Sequence, residues 1–319
     1  MITVFTTPKP FTGLAERAQR NALASWRAQG PSVRVILFGD SLGAAQVAKD
    51  FSIEHIPHVG GNPHGIPRLD SMFRLAQEIS EDPYLAYVNC DVLLPDRLDS
   101  VTEALGKRPF LAVGQRIDLN VDWEYDGSES ARRRLLANVE KHGRIHPPTG
   151  SDYFVFPRGT ISSMPPFLVG RVGWDNWLIW DSLRRGITVV DATGFFRVVH
   201  QDHPPASHSF GNTEADRRKA EETVENQRFA GEGGTFILED IPFRLTHGGV
   251  RRKISWRLWI RRLNQGYKLS GGKPPAGFGA RVLGNLMFAT TYGVTAWLKM
   301  AWARPARRRR ETGVPPASD

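Results

Sequence analysis

The chain has 319 residues, 40% hydrophobic and 24% charged, enough to bury a substantial core as one large domain or one domain with an appendage. Its net charge of +9 is uneven, because 15 of the 42 Lys and Arg but only two of the 33 acids stand at or beyond Thr246, which leaves −4 on the first 245 residues. A mildly acidic body argues against a nucleic-acid enzyme, a basic tail points to an anionic surface, and one cysteine, Cys90, excludes an intrachain disulfide and fits a reducing compartment.

The opening MITVFTTPKPF runs straight into a strand pattern, without the charged head, apolar core and cleavage site of a secretory signal. Ile2 to Phe5 is a short β-rich run, followed by Thr6, Thr7, Pro8 and Lys9 and then by a helix pattern in which Ala15, Ala18, Ala22 and Trp26 share a face. Val33 to Phe38 is a second apolar run ending at Gly39-Asp40, and Leu42 to Asp50 reads as the helix after it. A brief third strand is expected over His55 to Val59, then the loop GGNPHGIP, then a helix with Met72, Leu75, Ala76 and Ile79 on one side.

Tyr84 to Leu94, YLAYVNCDVLL, predicts a buried central strand, yet Asn89 and Asp91 stand near its end, where a core has no use for them. Alternation along a strand puts both on one face, and two oxygen-bearing side chains so placed suit a hard divalent cation. Mg2+ in particular is commonly held by one or two carboxylates plus the phosphates of a substrate. The alternative is a strand that ends in a turn, with Asp91 capping a helix begun by Pro95. Strands alternating with helices imply right-handed crossovers and a mostly parallel sheet, with ligands beyond the carboxyl ends of the strands, where Thr6, Asp40 and Asp91 all stand. No glycine-rich dinucleotide fingerprint or phosphate loop follows any strand, which disfavours a nicotinamide enzyme or a P-loop ATPase.

Beyond Asp91, Phe110 to Val121 reads as a strand, Glu129 to His142 as a polar helix with Leu135, Leu136 and Val139 inward, and GSDYFVFPRG as a strand with Asp152 at its start. Trp174, Trp177 and Trp180 recur every third residue, giving an aromatic helix face that is core or a cleft wall. Asp175 falls in the first turn of that helix, where an N-cap is its alternative role. Two strand-like runs, ITVVDAT and FFRVVH, follow, and the second delivers His200, Gln201, Asp202 and His203 to a loop.

The ordered set KPF, RNALASW, VILFGD, GIPRLDSMF, YVNCDVLL, AVGQR, GSDYFVFPRG, VGRVGWDNWLI, VDAT and HQDH resembles the nucleotide-diphospho-sugar transferases of the GT-A glycosyltransferase fold. The resemblance implies a Rossmann-like α/β domain over residues 1–245, with a mostly parallel central sheet flanked by helices, and leaves 246–319 as a basic helical extension. It further implies a nucleotide-sugar donor, Mn2+ or Mg2+, and transfer of a sugar to a glycan, lipid or protein acceptor in the synthesis of a surface glycan or glycolipid.

In that family an Asp-x-Asp motif ends the fourth main strand and binds the metal and the donor diphosphate. Asn89-Cys90-Asp91 takes that place, with Asn for the first Asp, so Asp91 is the firmer ligand. His200 resembles the histidine that completes the metal's shell, with His203 as the other candidate. Asp40 resembles the acid that contacts the base or ribose, its alternative being a turn former before Ser41. Thr6 and Thr7 are expected to contact the nucleotide, and Arg68 with Asp70 to approach the donor from the start of their helix. Arg171 pairs with phosphate oxygens or sits in a surface salt bridge. Asp175 in GWDNW resembles the general base of inverting enzymes, with Asp152 as second candidate, so inversion is the expected outcome. Two other readings stand beside this one: a sugar-1-phosphate nucleotidyltransferase, for whose glycine-rich basic loop TTPKPFTG is a poor substitute, and a noncatalytic nucleotide-sugar-binding protein.

In the tail, RRKISWRLWIRRLNQ places Trp256, Trp259, Ile260 and Leu263 on one helical face, with Arg252 intruding and Ile254 and Leu258 opposite. The uncharged run from Val282 to Leu298 is diluted by Asn285, glycines and threonines, which disfavours a membrane-spanning helix. Trp256, Trp259, Trp297 and Trp302 among many arginines suit peripheral attachment to an anionic membrane, with a solvated or core-covering extension as the alternative. The end, RPARRRRETGVPPASD, is expected to be disordered, and the location cytoplasmic or peripheral at the inner face of the membrane.

Overall fold

The structure, a computed structural model, describes residues 1–202 and 213–269. His203, the run from Val282 to Leu298, Trp297, Trp302 and the arginine-rich end lie outside the described residues. The chain divides into two compact units, Met1–Ile254 and Ser255–Asp319. The expected boundary after residue 245 falls within a strand hairpin, so the first unit continues a little further.

In chain order the first unit contains β1 (Ile2–Thr6), α1 (Gly13–Arg27), β2 (Val33–Phe38), α2 (Ala44–Asp50), β3 (Glu54–Ile56), α3 (Leu69–Ile79) and β4 (Tyr84–Val88). There follow β5 (Val92–Leu93), α4 (Asp99–Leu105), β6 (Phe110–Val113), β7 (Ile117–Leu119), α5 (Glu129–His142), β8 (Arg144–Ile145) and β9 (Tyr153–Pro157). It closes with α6 (Trp174–Arg184), β10 (Thr188–Asp191), β11 (Val199–Gln201), α7 (Glu214–Ala230), β12 (Phe243–Thr246) and β13 (Gly249–Arg252). The architecture is mixed α/β. Nine strands form one sheet in the order β13-β12-β10-β6-β9-β4-β1-β2-β3, and β5-β11-β7-β8 form a second. In the large sheet β3, β2, β1 and β4 are mutually parallel, as are β6, β10 and β12, while β9 runs antiparallel between β4 and β6 and β13 turns back along β12. The expected mostly parallel sheet flanked by helices is therefore present.

Each face of the large sheet buries a different set of side chains, as strand alternation requires. Ile2, Val4, Val35, Leu37, Ala86 and Val88 pack with Ala22, Leu23 and Trp26 of α1. On the other face Phe5 meets Phe73 and Tyr87 edge-on, with ring centroids 5.0 and 5.6 Å apart, and Phe73 stacks on Phe156 at 5.6 Å. The aromatic face expected for α6 joins this core, since Trp174 lies 5.1 Å from both Tyr87 and Phe154 and Trp177 lies 5.5 Å from Phe167.

Several expectations change in detail. Tyr84 to Leu94 is not one strand: β4 ends at Val88, the amide of Asn89 donates to Asp152 O at 2.9 Å, and the amide of Val92 donates to Asn89 O at 3.1 Å to close a turn over Asn89-Cys90-Asp91. Asn89 and Asp91 are therefore turn residues and not neighbours on a strand face. The helix expected at Pro95 begins at Asp99, so Asp91 does not cap it. Phe110 to Val121 splits into β6 and β7, which belong to different sheets. The chain parts at Gly114, where a Cβ would stand 2.5 Å from Tyr153 Oη and 2.8 Å from Thr193 N.

The second unit is described only through α8 (Trp256–Leu269). Ile260 is buried whereas Trp256 and Trp259 are 57% and 54% exposed, so the expected face does not share one environment. Among the described residues no helix is long and apolar enough to cross a membrane.

The close approach at Gly114 predicts that Gly114→Ala destabilises the protein by about 1–3 kcal/mol through overpacking. Urea denaturation with an unchanged slope and a lowered midpoint would show it.

Candidate active site

The turn after β4 is fixed from beneath by α1. Trp26 Nε1 donates to Val92 O at 2.9 Å, Ser25 Oγ accepts from Leu94 N at 3.1 Å, and Gln29 donates to Leu94 O and Asp96 O, both at 3.0 Å. Gln201 Nε2 donates to Asp91 O at 3.0 Å and to Ala18 O at 2.6 Å, while its Oε1 accepts from Asn21 at 2.9 Å. Buried amides are satisfied on both ends, so the backbone carrying Asp91 is held rigidly.

The small sheet brings in the histidine. β11 pairs in parallel with β7, placing His200 opposite Asp118, and antiparallel with β5, placing it opposite Val92 next to Asp91. His200 therefore lies in a strand and not in the loop expected for it. Its Nε2 stands 4.0 Å from Asp91 Oδ2 and its Nδ1 3.8 Å from Asp118 Oδ1. Asp118 also accepts from Arg116 Nε at 2.8 Å and pairs with His146 Nδ1 at 2.7 Å. Burial acts to raise the Asp118 carboxyl, but its partners His146 and Arg116 outweigh that and keep it below the usual carboxylate range.

A second chain of contacts runs from Arg116 to the strands. Its Nη1 reaches both oxygens of Asp152 at 3.0 and 2.8 Å, and Asn89 Nδ2 donates to Asp152 Oδ1 at 2.8 Å. Tyr87 Oη donates in turn to Asn89 Oδ1 at 3.1 Å. Asn at position 89 suits this place, because an amide can donate to the Asp152 carboxylate where a second carboxylate would repel it.

Asp175 adjoins the same group. It sits in the first turn of α6, after Gly173 rather than at the cap, and its Oδ2 accepts from Ser151 N at 3.2 Å. Burial pushes its carboxyl up to about 6, with backbone hydrogen bonds opposing and the charge of Asp152 adding to the rise.

The remaining expected residues spread around the carboxyl ends of β1 and β2. Thr6 and Thr7 follow one another there, and the buried hydroxyl oxygens of both find no hydrogen-bond partner. Ser41 Oγ donates to Pro8 O at 2.7 Å, which joins the loop after β2 to the loop after β1. Asp40 is exposed beside that junction. Gly39 has φ +91°, and a Cβ there would lie 3.2 Å from Thr7 Oγ1. Arg68 precedes α3 and forks onto Asp70, at 3.0 and 2.5 Å. Arg171 is elsewhere occupied: its guanidinium grips Glu222 of α7 at 2.9 and 2.5 Å in a largely buried pair, and Asn62 holds the other oxygen of Glu222 at 2.8 Å.

Sequence reasoning did not single out Lys9, Arg116, Asp118 or His146. The signal for Asp118 was there, as one acid between the apolar Ile117 and Leu119, the same break in pattern that drew attention to Asp91. The ammonium of Lys9 stands 3.3 Å from Asp91 Oδ2.

Two places suit a cation. Ligand atoms of Asp118, His200 and Asp202 all lie within 4.8 Å of one another. There Asp118 is engaged by Arg116 and His146, and Asp202 by Arg144 at 2.6 Å, so the negative charge is already compensated. Asp91 Oδ2 and His200 Nε2, 4.0 Å apart, are the second place. Two ligand bonds of about 2.1 Å span a gap of about 4 Å only when they stand nearly opposite each other on the ion, so a cation here would draw the two side chains together. Lys9 compensates Asp91 there as Arg116 and Arg144 compensate the acids of the first place. An oxygen and an imidazole nitrogen together suit Mn2+, and the carboxylate alone suits Mg2+.

No protein-family model matches the chain, and no curated protein matches it. Among solved structures it is similar to a mannosyltransferase from Pyrobaculum calidifontis in complex with GDP-Man and Mn2+, at 12% identity and TM-score 0.43 over 76% of this chain and 67% of that one. It is also similar to a mycobacterial protein, at 16% identity and TM-score 0.44 over 71% and 74% of the two chains. A further likeness is to glucosyl-3-phosphoglycerate synthase from Mycobacterium tuberculosis in complex with Mg2+ and UDP, at 14% identity and TM-score 0.39 over 71% and 79%. At these scores the likeness adds nothing to what the strand order shows by itself.

Arg116 serves two carboxylates at once, so Arg116→Met should cost about 2–3 kcal/mol of stability, most of it the penalty of leaving Asp152 buried and uncompensated. Thermal and urea unfolding of the variant, and partial recovery in an Arg116→Met, Asp152→Asn double variant, would measure it.

Proposed function

We propose that the chain is a nucleotide-sugar-dependent glycosyltransferase that, with Mn2+ or Mg2+, moves a sugar from a nucleotide-diphosphate donor to an acceptor hydroxyl with inversion, in the synthesis of a surface glycan or glycolipid. The observation that carries this reading is the meeting of Asp91 and His200, 4.0 Å apart, beyond the carboxyl end of a parallel sheet, where α/β folds bind their ligands. The base-side carboxylates Asp175 and Asp152 adjoin the same turn through Ser151 and Asn89.

Asp91 and His200 would hold the cation, with Asn89 fixing the turn, and the cation supplies positive charge against the departing diphosphate. The loop carrying Thr6 and Thr7 would meet the nucleotide through its backbone, since both hydroxyls are buried, exposed Asp40 would meet the ribose or base, and the Arg68–Asp70 pair would border the donor side. Arg171 braces the neighbouring loop through Glu222. Asp175 takes the proton from the acceptor hydroxyl as that oxygen attacks from the side opposite the leaving group. A carboxyl raised to about 6 is ionised at neutral pH and is a stronger base than an ordinary aspartate. Asp152, tied to Arg116 and Asn89, orients the turn.

Asp91→Ala should lower Mn2+-dependent transfer or hydrolysis of the nucleotide sugar by at least about 10²-fold, the scale of losing a main charge-stabilising group. A donor is first found by thermal shift with UDP- and GDP-sugars in the presence of Mn2+, since a ligand bound only by the folded state raises its stability. Wild-type rates in the Asp91→Ala variant would end this assignment.

The base must be deprotonated, so kcat/KM should fall about tenfold per pH unit below about 6 and level off above it. Asp175→Asn should lower kcat by about 10²–10⁴-fold and remove that limb. The same shift makes a linked stability effect: the fold favours the protonated carboxyl, so this contribution is full at low pH and is lost as pH rises through about 6.

A further inference from the structure

Lys9 combines a clamped main chain with a largely exposed side chain. Gln19, itself buried, clamps it from both sides: Lys9 N donates to Gln19 Oε1 at 2.7 Å and Gln19 Nε2 donates to Lys9 O at 3.1 Å. The side chain is 63% exposed and reaches across from the loop after β1 to place its ammonium 3.3 Å from Asp91 Oδ2. Pro8 next to it is tied to Ser41 by its carbonyl, and Phe11 N donates to Leu42 O at 2.8 Å, so the loop is pinned on either side of the lysine. A buried glutamine spent on one exposed residue's backbone is a costly way to make a surface ion pair worth little in stability. It is an economical way to aim a flexible cation at a fixed point.

We propose that Lys9 is a placeholder and a donor-binding residue in turn: its ammonium neutralises Asp91 before ligand arrives, and moves onto the diphosphate oxygens when a divalent cation takes its place. The inference rests on the metal-dependent reading of the site given above. Lys9 Nζ and a cation bound by Asp91 and His200 compete for the same oxygen, since both approach Oδ2. Once displaced, an ammonium on a clamped backbone and a flexible four-carbon stem stays within a short sweep of the cation. The negative charge that arrives with that cation is the diphosphate, and an ammonium with three donors satisfies phosphate oxygens readily. The exchange keeps the net charge around Asp91 near balance in both states, which limits the cost of its partial burial.

The proposal makes effects of opposite sign on two ligands, which a merely structural residue would not produce. In the full chain, Lys9→Met should raise the affinity for Mn2+ alone by about 2- to 5-fold, the value of an exposed ion pair removed from competition. In the presence of saturating Mn2+ it should weaken binding of UDP or GDP, whichever the wild type prefers, by about tenfold, the loss of one charged hydrogen-bond donor. Lys9→Arg should restore most of the nucleotide affinity. Isothermal titration and the Mn2+ paramagnetic resonance signal read both quantities without turnover. If Lys9→Met leaves both affinities unchanged, or moves them in the same direction, the placeholder role is wrong. If the wild type binds neither Mn2+ nor either diphosphate and Asp91→Ala changes nothing, the metal-dependent function fails and this inference with it. If the wild type and Asp91→Ala behave as expected and only the Lys9 pattern is missing, the function stands and this inference alone falls.

Discussion

The guanidinium of Arg116 joins the two sheets of this protein beside the turn that carries Asp91. It pairs with Asp118 on β7 of the small sheet and with Asp152 at the entrance to β9 of the large one. Burial works against its charge, and Asp152 and Asp118 more than make up for it. The side chains of Asp152, Asn89 and Asp118 around the turn depend on this balance. Two carboxylates this close would otherwise repel, and Asn89 would lose the anchored oxygen to which its amide donates. A planar group with several donors is suited to serving two acids from different directions, which an ammonium could not do with the same geometry.

The helix after β1 works in a similar way with neutral groups. An amphipathic pattern draws attention to its apolar stripe, and Ala22 and Trp26 do enter the core. Its polar buried residues matter as much. Asn21 receives Tyr125 N at 2.7 Å and donates to Trp123 O and Gln201, while Ser25, with Gln29 just beyond the helix, holds the segment that leaves the turn. The helix is a ladder of hydrogen-bonding struts on which three separate pieces of chain hang, and that is why buried Gln19, Asn21 and Ser25 occur within one short stretch.

The parts of the structure readable in advance were those encoded locally. Apolar runs and helix periodicity located β1, β2, α3, β4, α5 and α6, and strand and helix alternation was enough to put Thr6, Asp40 and Asp91 at one end of a parallel sheet. What could not be read was assembled by pairings distant in sequence. His200 faces Asp118 only because β11 lies beside β7, and Arg116 meets Asp152 only because Gly114 lets the chain leave the large sheet between Phe110 and Val121. Single side chains are equally ambiguous in sequence. Arg171 and Lys9 are both cations near a loop, yet one is committed to Glu222 on a helix and the other to Asp91, and no spacing distinguishes the two outcomes.

The reversed direction of β9 carries one more consequence. β1, β2 and β4 present the loops that leave them, whereas β9, lying between β4 and β6, presents at the same rim the loop that enters it. That entering stretch is tied along its length, with Pro148 O accepting from Leu238 N at 3.1 Å, Thr149 O from Asn176 Nδ2 at 3.4 Å and Asp152 O from Asn89 N at 2.9 Å. Rewriting it during descent would leave the register of the parallel strands untouched, but any new sequence would have to keep these anchors to α6 and to the segment before β12.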